Sequence, residues 1–173
     1  MKKGLKIGLV FGTLLMLIAI VFAGSANACI PPPPPPPQSS DLMAGKFDYA
    51  GYVEADDDGT NLYISYVGDD GWTITETHLW VGDNTWKKEE GCDIPRTNKG
   101  NLKIGHFPYK NQMSYEISLA GLDKNGDGKI FIVAHAEVEK WVRCELQQET
   151  AWADTGFPIP DVNGWALYFE YTI

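Results

Sequence analysis

Asp123, Asn125 and Asp127 stand at alternate positions in the segment Asp-Lys-Asn-Gly-Asp-Gly-Lys-Ile. Their three side-chain oxygens, with the backbone carbonyl of Lys129, form the hard oxygen set that Ca2+ takes, and Gly128 allows the sharp turn that such a loop needs. The helix–loop–helix version carries a bidentate Glu at its twelfth position. Here that position is Ala134, and the flanking segments read as strands. The expectation is a Ca2+ loop between strands, completed by a distant carboxylate or water, in competition with a metal-free Asp/Asn/Gly hairpin turn.

The second constellation pairs imidazoles with carboxylates. His78 alternates with Glu76, and His135 with Glu137, inside two strand-like segments, so each His shares a face with its Glu. If those strands are neighbours, two His and two Glu converge in a set that suits zinc or another transition metal. With an open coordination position and a base, such a set supports hydrolysis. No H-E-x-x-H spacing reinforces it. Nucleophilic catalysis finds no G-x-S-x-G elbow, and no particular pair of acids is singled out for glycoside hydrolysis. Asp56, Asp57 and Asp58 are consecutive and read as an exposed turn or a second cation site. Among the six tryptophans, Trp86 in Gly-Asp-Asn-Thr-Trp-Lys-Lys is the one expected to be exposed, as a stacking platform for a sugar.

The surrounding chain dictates how these groups are held. Lys2, Lys3 and Lys6 precede an apolar run and an Ala-Asn-Ala end, the pattern of a secretory signal over residues 1–28. Its removal takes three positive charges away, so the formal charge of −9 becomes −12. An acidic exported domain is a poor partner for nucleic acid, whose phosphates need clustered Lys and Arg. Cys29 becomes the first residue after the signal, the place where a lipoprotein carries its lipid. Membrane association is expected only through that anchor or the signal. Cys92 and Cys144 are expected to pair in an oxidising compartment.

Pro31–Pro37 form a polyproline II rod, so residues 29–45 read as a stiff spacer. Residues 46–173 have the size of one domain. Short alternating or aromatic segments separated by Gly/Asp turns predict an all-β fold, a two-sheet β-sandwich of jelly-roll or Ig-like type.

The strings ETHLWVG, FPY, YEISL, IVAHAEV, ETAWADTG and NGWALYFEYTI, in this order, resemble an uncharacterised family of exported β-rich domains from archaeal and bacterial surface proteins. The matching positions are Glu76, Thr77, His78, Leu79, His135, Glu149, Thr150, Ala151 and Trp152. The resemblance implies a fold type and a location outside the cytoplasm, and no reaction. The expected function is a surface-associated module for binding or structural display, stiffened by Ca2+, with a cell-envelope component or polysaccharide as partner. The alternatives are a carbohydrate or cell-wall binding module and a metal-dependent hydrolase.

Overall fold

The computed structural model describes residues 36–83, 93–154 and 156–173. The expected signal, Cys29, Trp86 and Cys92 lie outside the described residues. The ordered elements are β1 (Gln38–Ala44), β2 (Asp48–Asp57), β3 (Asn61–Gly68), β4 (Thr73–Asp83), β5 (Tyr109–Lys110), β6 (Ser114–Ser118), β7 (Lys129–Val142), β8 (Glu145–Asp154), β9 (Phe157–Pro158) and β10 (Leu167–Thr172). Among the described residues, a 3-10 turn covers Ile104–His106. The fold is all-β, as the alternation predicts.

Two boundaries differ from the expectation. The first strand, β1, lies inside the segment assigned to the spacer, and it pairs along its whole length with β2. Its inward row is Ser40, Leu42 and Ala44, so small and polar residues disguise the period of two. The second lies in Lys-Trp-Val-Arg-Cys-Glu-Leu, which reads from its sequence as one strand-like segment. It contains a two-residue turn instead, with Val142 paired to Glu145. Arg143 and Cys144 both have positive φ, 51° and 68°. That is the mirror-image turn whose twist matches a hairpin, here without its usual Asn-Gly.

The strands follow one hydrogen-bonded path, β5-β4-β7-β8-β1-β2-β3-β6, in place of two separately bonded sheets. The ends of that path, β5 and β6, are neighbours in sequence, so the sheet must curl to bring them together. The connector between them stitches both sides. Asn111 N–H donates to the Thr77 carbonyl at 2.9 Å, and Tyr66 N–H donates to the Met113 carbonyl at 2.8 Å. The result is a nearly closed, barrel-like sheet. β10 pairs with the first part of β7 and runs on to β9.

The pleat of β7 sorts its residues between two cores. Ile130, Ile132, Ala134, Ala136 and Val138 point inward, to an aliphatic core shared with Leu42, Val53, Ile64, Leu79 and Phe169. Phe131 and Val133 point outward, beneath Trp80, Phe107, Trp152 and Ile159. The segments around Ile94–Phe107 and Ile159–Ala166 thus roof the outer face of β4, β7 and β8. His135 belongs to this outward row, next to the roof's edge. Leucine, phenylalanine or tryptophan at such sites contributes roughly 1.5–3 kcal/mol each by burial.

Candidate functional site

β4 and β7 are antiparallel neighbours, and their register sets His78 opposite His135 and Glu76 opposite Glu137. A bulge at Thr75 shifts the pairing just before Glu76 and so fixes this alignment. The two imidazoles are buried, at 6% and 2% exposure, whereas their carboxylates are about half-exposed. The Nδ1 atoms face each other at 3.4 Å. Nε2 of His78 lies 3.2 Å from Glu76 Oε1, and Nε2 of His135 lies 3.6 Å from Glu137 Oε1. The last distance is too long for a hydrogen bond, and His135 Nε2 is a buried atom without a hydrogen-bond partner.

The surroundings explain the electrostatics. His135 packs edge-on against Trp152 of β8, with ring centroids 4.6 Å apart. Burial, and secondarily His78, hold its pKa down at about 3. Burial also lowers His78, against the opposing pull of Glu76, and Lys110 adds to the lowering. Glu137 is raised, first by burial and then by Glu76 directly across the sheet.

The four side chains expected to converge therefore meet as a row. The carboxylates sit at the far nitrogens of the two rings, while the near nitrogens face each other, so the set does not close around one centre. Among the described residues, no group of three or more His, Cys, Asp and Glu is gathered in a way that could hold a metal ion.

The Asp123–Lys129 loop joins β6 to β7, which are not adjacent in the sheet, so it is a crossover and not the tight hairpin considered from the sequence. Its side chains cap its own backbone. Asp123 accepts hydrogen bonds from Gly126 N–H at 2.7 Å and Gly128 N–H at 2.9 Å. Asn125 Oδ1 accepts from Asp127 N–H, and Asp127 Oδ1 from Lys129 N–H, both at 2.9 Å. A distant carboxylate does reach the loop. It is Asp83, 3% exposed at the end of β4, which accepts from Lys124 N–H at 2.7 Å and Asn125 N–H at 3.0 Å. No local pattern around Asp83 marks it; only the tertiary fold brings it there.

The triple-acid segment is an exposed β2–β3 turn. Asp58 accepts from Thr60 N–H, Asn61 N–H and the Tyr63 hydroxyl, and these donors hold its pKa low. Asp57 anchors the turn to β10 through the Tyr171 hydroxyl at 2.8 Å. Self-capping thus offsets part of the like-charge repulsion. Cys144 is a free, exposed thiol at the tip of the β7–β8 hairpin; its expected partner Cys92 lies outside the described residues. On the same hairpin, Trp141 is 68% exposed, a surface aromatic that the sequence reading did not single out.

Another aromatic feature emerges beside the His row. Asn101, Leu102, Ile104, Trp152, Val162, Asn163, Gly164, Trp165 and Ala166 line an open groove of about 250 Å³. Trp152 and Trp165 stand nearly perpendicular, 77° between planes and 6.4 Å between centroids. Asn163 N–H donates to Asn101 Oδ1 at 3.0 Å, which ties the two sides of the groove together. Trp152 thus touches His135 with one side and walls the groove with the other. The string Glu-Thr-Ala-Trp lies on β8, next to the His string of β7, which in turn pairs with that of β4.

No protein-family model matches the chain, and neither the curated proteins nor the solved structures contain a match to it.

Proposed function

We propose that this chain is an exported, surface-associated binding module, and that its ligand is a polysaccharide held in the Trp152/Trp165 groove. The observation that carries the reading is the groove's composition: the half-buried Trp165 indole, backed by the buried Trp152, with two asparagines around one shallow opening. Indole faces stack on the C–H faces of a sugar ring, and amides bond to its hydroxyls. The acidic charge of the chain disfavours an acidic polymer, so a neutral polysaccharide is the better partner.

Export and tethering follow from the signal pattern, the proline rod and Cys29, and the proposal includes membership in the surface-protein family named above. The two halves of the path, β5-β4-β7-β8 and β1-β2-β3-β6, contribute to one aliphatic core, which supports reading the curled sheet as a sandwich joined at β8 and β1. A Ca2+ ion in the Asp123–Lys129 loop belongs to the proposal as a stiffening element, supported by the spacing of Asp123, Asn125 and Asp127, with the Asn125 amide and backbone carbonyls making up the oxygen set.

The test is affinity electrophoresis in gels that contain neutral polysaccharides. Wild type should be retarded. Trp165→Ala should lose the retardation, with its fold checked by circular dichroism. Asn163→Ala removes an exposed amide and should weaken retention while leaving the melting temperature unchanged. Equal retardation of all three proteins refutes the groove as the ligand seat.

A further inference from the structure

We propose that Glu76, His78, His135 and Glu137 form a proton-binding site, a row that holds one proton more than two neutral imidazoles and two carboxylates carry. The argument is a count of hydrogens. The row has three contacts: Glu76 to His78 Nε2 at 3.2 Å, His78 Nδ1 to His135 Nδ1 at 3.4 Å, and His135 Nε2 to Glu137 at 3.6 Å. At each contact two lone-pair-bearing atoms confront each other unless a hydrogen lies between them. Two neutral imidazoles bring two hydrogens for three contacts. With both on Nε2, the two Nδ1 lone pairs meet. With one moved to Nδ1, a ring nitrogen turns its lone pair to a carboxylate.

One added proton completes the row. With the half-exposed Glu137 side chain closing the 3.6 Å gap, its carboxyl O–H donates to His135 Nε2, His135 Nδ1–H donates to His78 Nδ1, and His78 Nε2–H donates to Glu76. The proton comes from solvent, no other bond is made or broken, and the row passes from two negative charges to one. This arrangement also supplies the partner that the buried His135 Nε2 otherwise lacks.

The neighbours place the extra proton on Glu137. His135 is sealed against Trp152, where an imidazolium would be poorly solvated. Glu137 faces Glu76 across the register, and two ionised carboxylates there repel. On its other side stands Thr150 of β8, which does not titrate. Lys110 of β5 pairs in register with His78, and Glu139 lies two residues further along β7. Burial and then Glu76 push the Glu137 pKa up, while burial pulls both imidazoles down, His135 to about 3 and His78 against the opposing pull of Glu76.

Two measurements on the full chain test this. Long-range 1H–15N spectra at about pH 5 should show His135 as the Nδ1–H tautomer and His78 as the Nε2–H tautomer. Both rings as Nε2–H, or a charged His135, overturns the proposal. The second measurement compares stability with Glu137→Gln, whose amide N–H is a permanent donor to His135 Nε2. Above the ordinary Glu value of 4.5, the folding constant of wild type should fall relative to Glu137→Gln, by up to about tenfold per pH unit, until Glu137 has titrated in the folded state. A ratio independent of pH overturns it.

Discussion

Replacing His135 by Gln should remove a large part of the chain's sensitivity to mild acid. In the fold His135 keeps its neutral form down to a pKa of about 3, against 6.5 for the free side chain. The unfolded chain therefore binds a proton that the folded chain refuses. Stability is full above 6.5, falls as the pH drops below that value, and stops falling near 3. Each pH unit in this window costs about 1.4 kcal/mol, so going from about pH 7 to about pH 4 removes roughly 3 kcal/mol. That is a large share of the 5–15 kcal/mol typical of a domain. Gln carries no titratable ring, while the acids outside the Glu76–Glu137 row, shared by both proteins, cancel in the difference. Urea unfolding, followed by tryptophan fluorescence at both pH values, gives the two free energies by linear extrapolation. The stability of wild type relative to His135→Gln should drop by about 3 kcal/mol between them. A difference that stays constant within about 0.5 kcal/mol would show that His135 is not held neutral by burial.

Gly51 has φ +136°, and a Cβ there would lie 1.9 Å from the Val67 carbonyl oxygen, so Gly51→Ala should cost more than about 1 kcal/mol in chemical denaturation. Asp83→Ala removes the acceptor for Lys124 and Asn125 N–H; amide exchange within Asp123–Lys129 should accelerate, with a stability loss of about 1–3 kcal/mol. Titration calorimetry with Ca2+ should give heat that Asp127→Ala abolishes, and identical flat traces would end the calcium proposal. A thiol reagent added to native protein should label Cys144 quickly, whereas a Cys92–Cys144 peptide in a non-reducing digest would contradict the free thiol.

Much of the strand inventory can be read from alternation alone. In Lys-Ile-Phe-Ile-Val-Ala-His-Ala-Glu-Val the period of two already sets His135 and Glu137 on one face and the inward alanines on the other. What alternation lacks is register. His78 and His135 are 57 residues apart, and only the bulge at Thr75 together with the β4–β7 pairing makes them opposite. The same limit hides Asp83, whose role depends on the crossover loop being folded over it. β1 escapes because Ser40 and Ala44 carry too little apolar contrast. The Arg143–Cys144 turn escapes because neither residue favours positive φ, so the tertiary pairing of β7 with β8 overrides local preference. The Trp152/Trp165 groove depends on residues from three separate segments, and tryptophan composition does not say which indoles share a wall.

The binding proposal is tested most directly by backbone and indole 1H–15N shifts as a soluble neutral polysaccharide is added to the chain. The Trp165 indole and the amides of Asn101, Asn163 and Gly164 should move together and saturate. Unchanged spectra, or shifts gathered on the exposed Trp141 hairpin instead, would contradict a ligand seat in the groove.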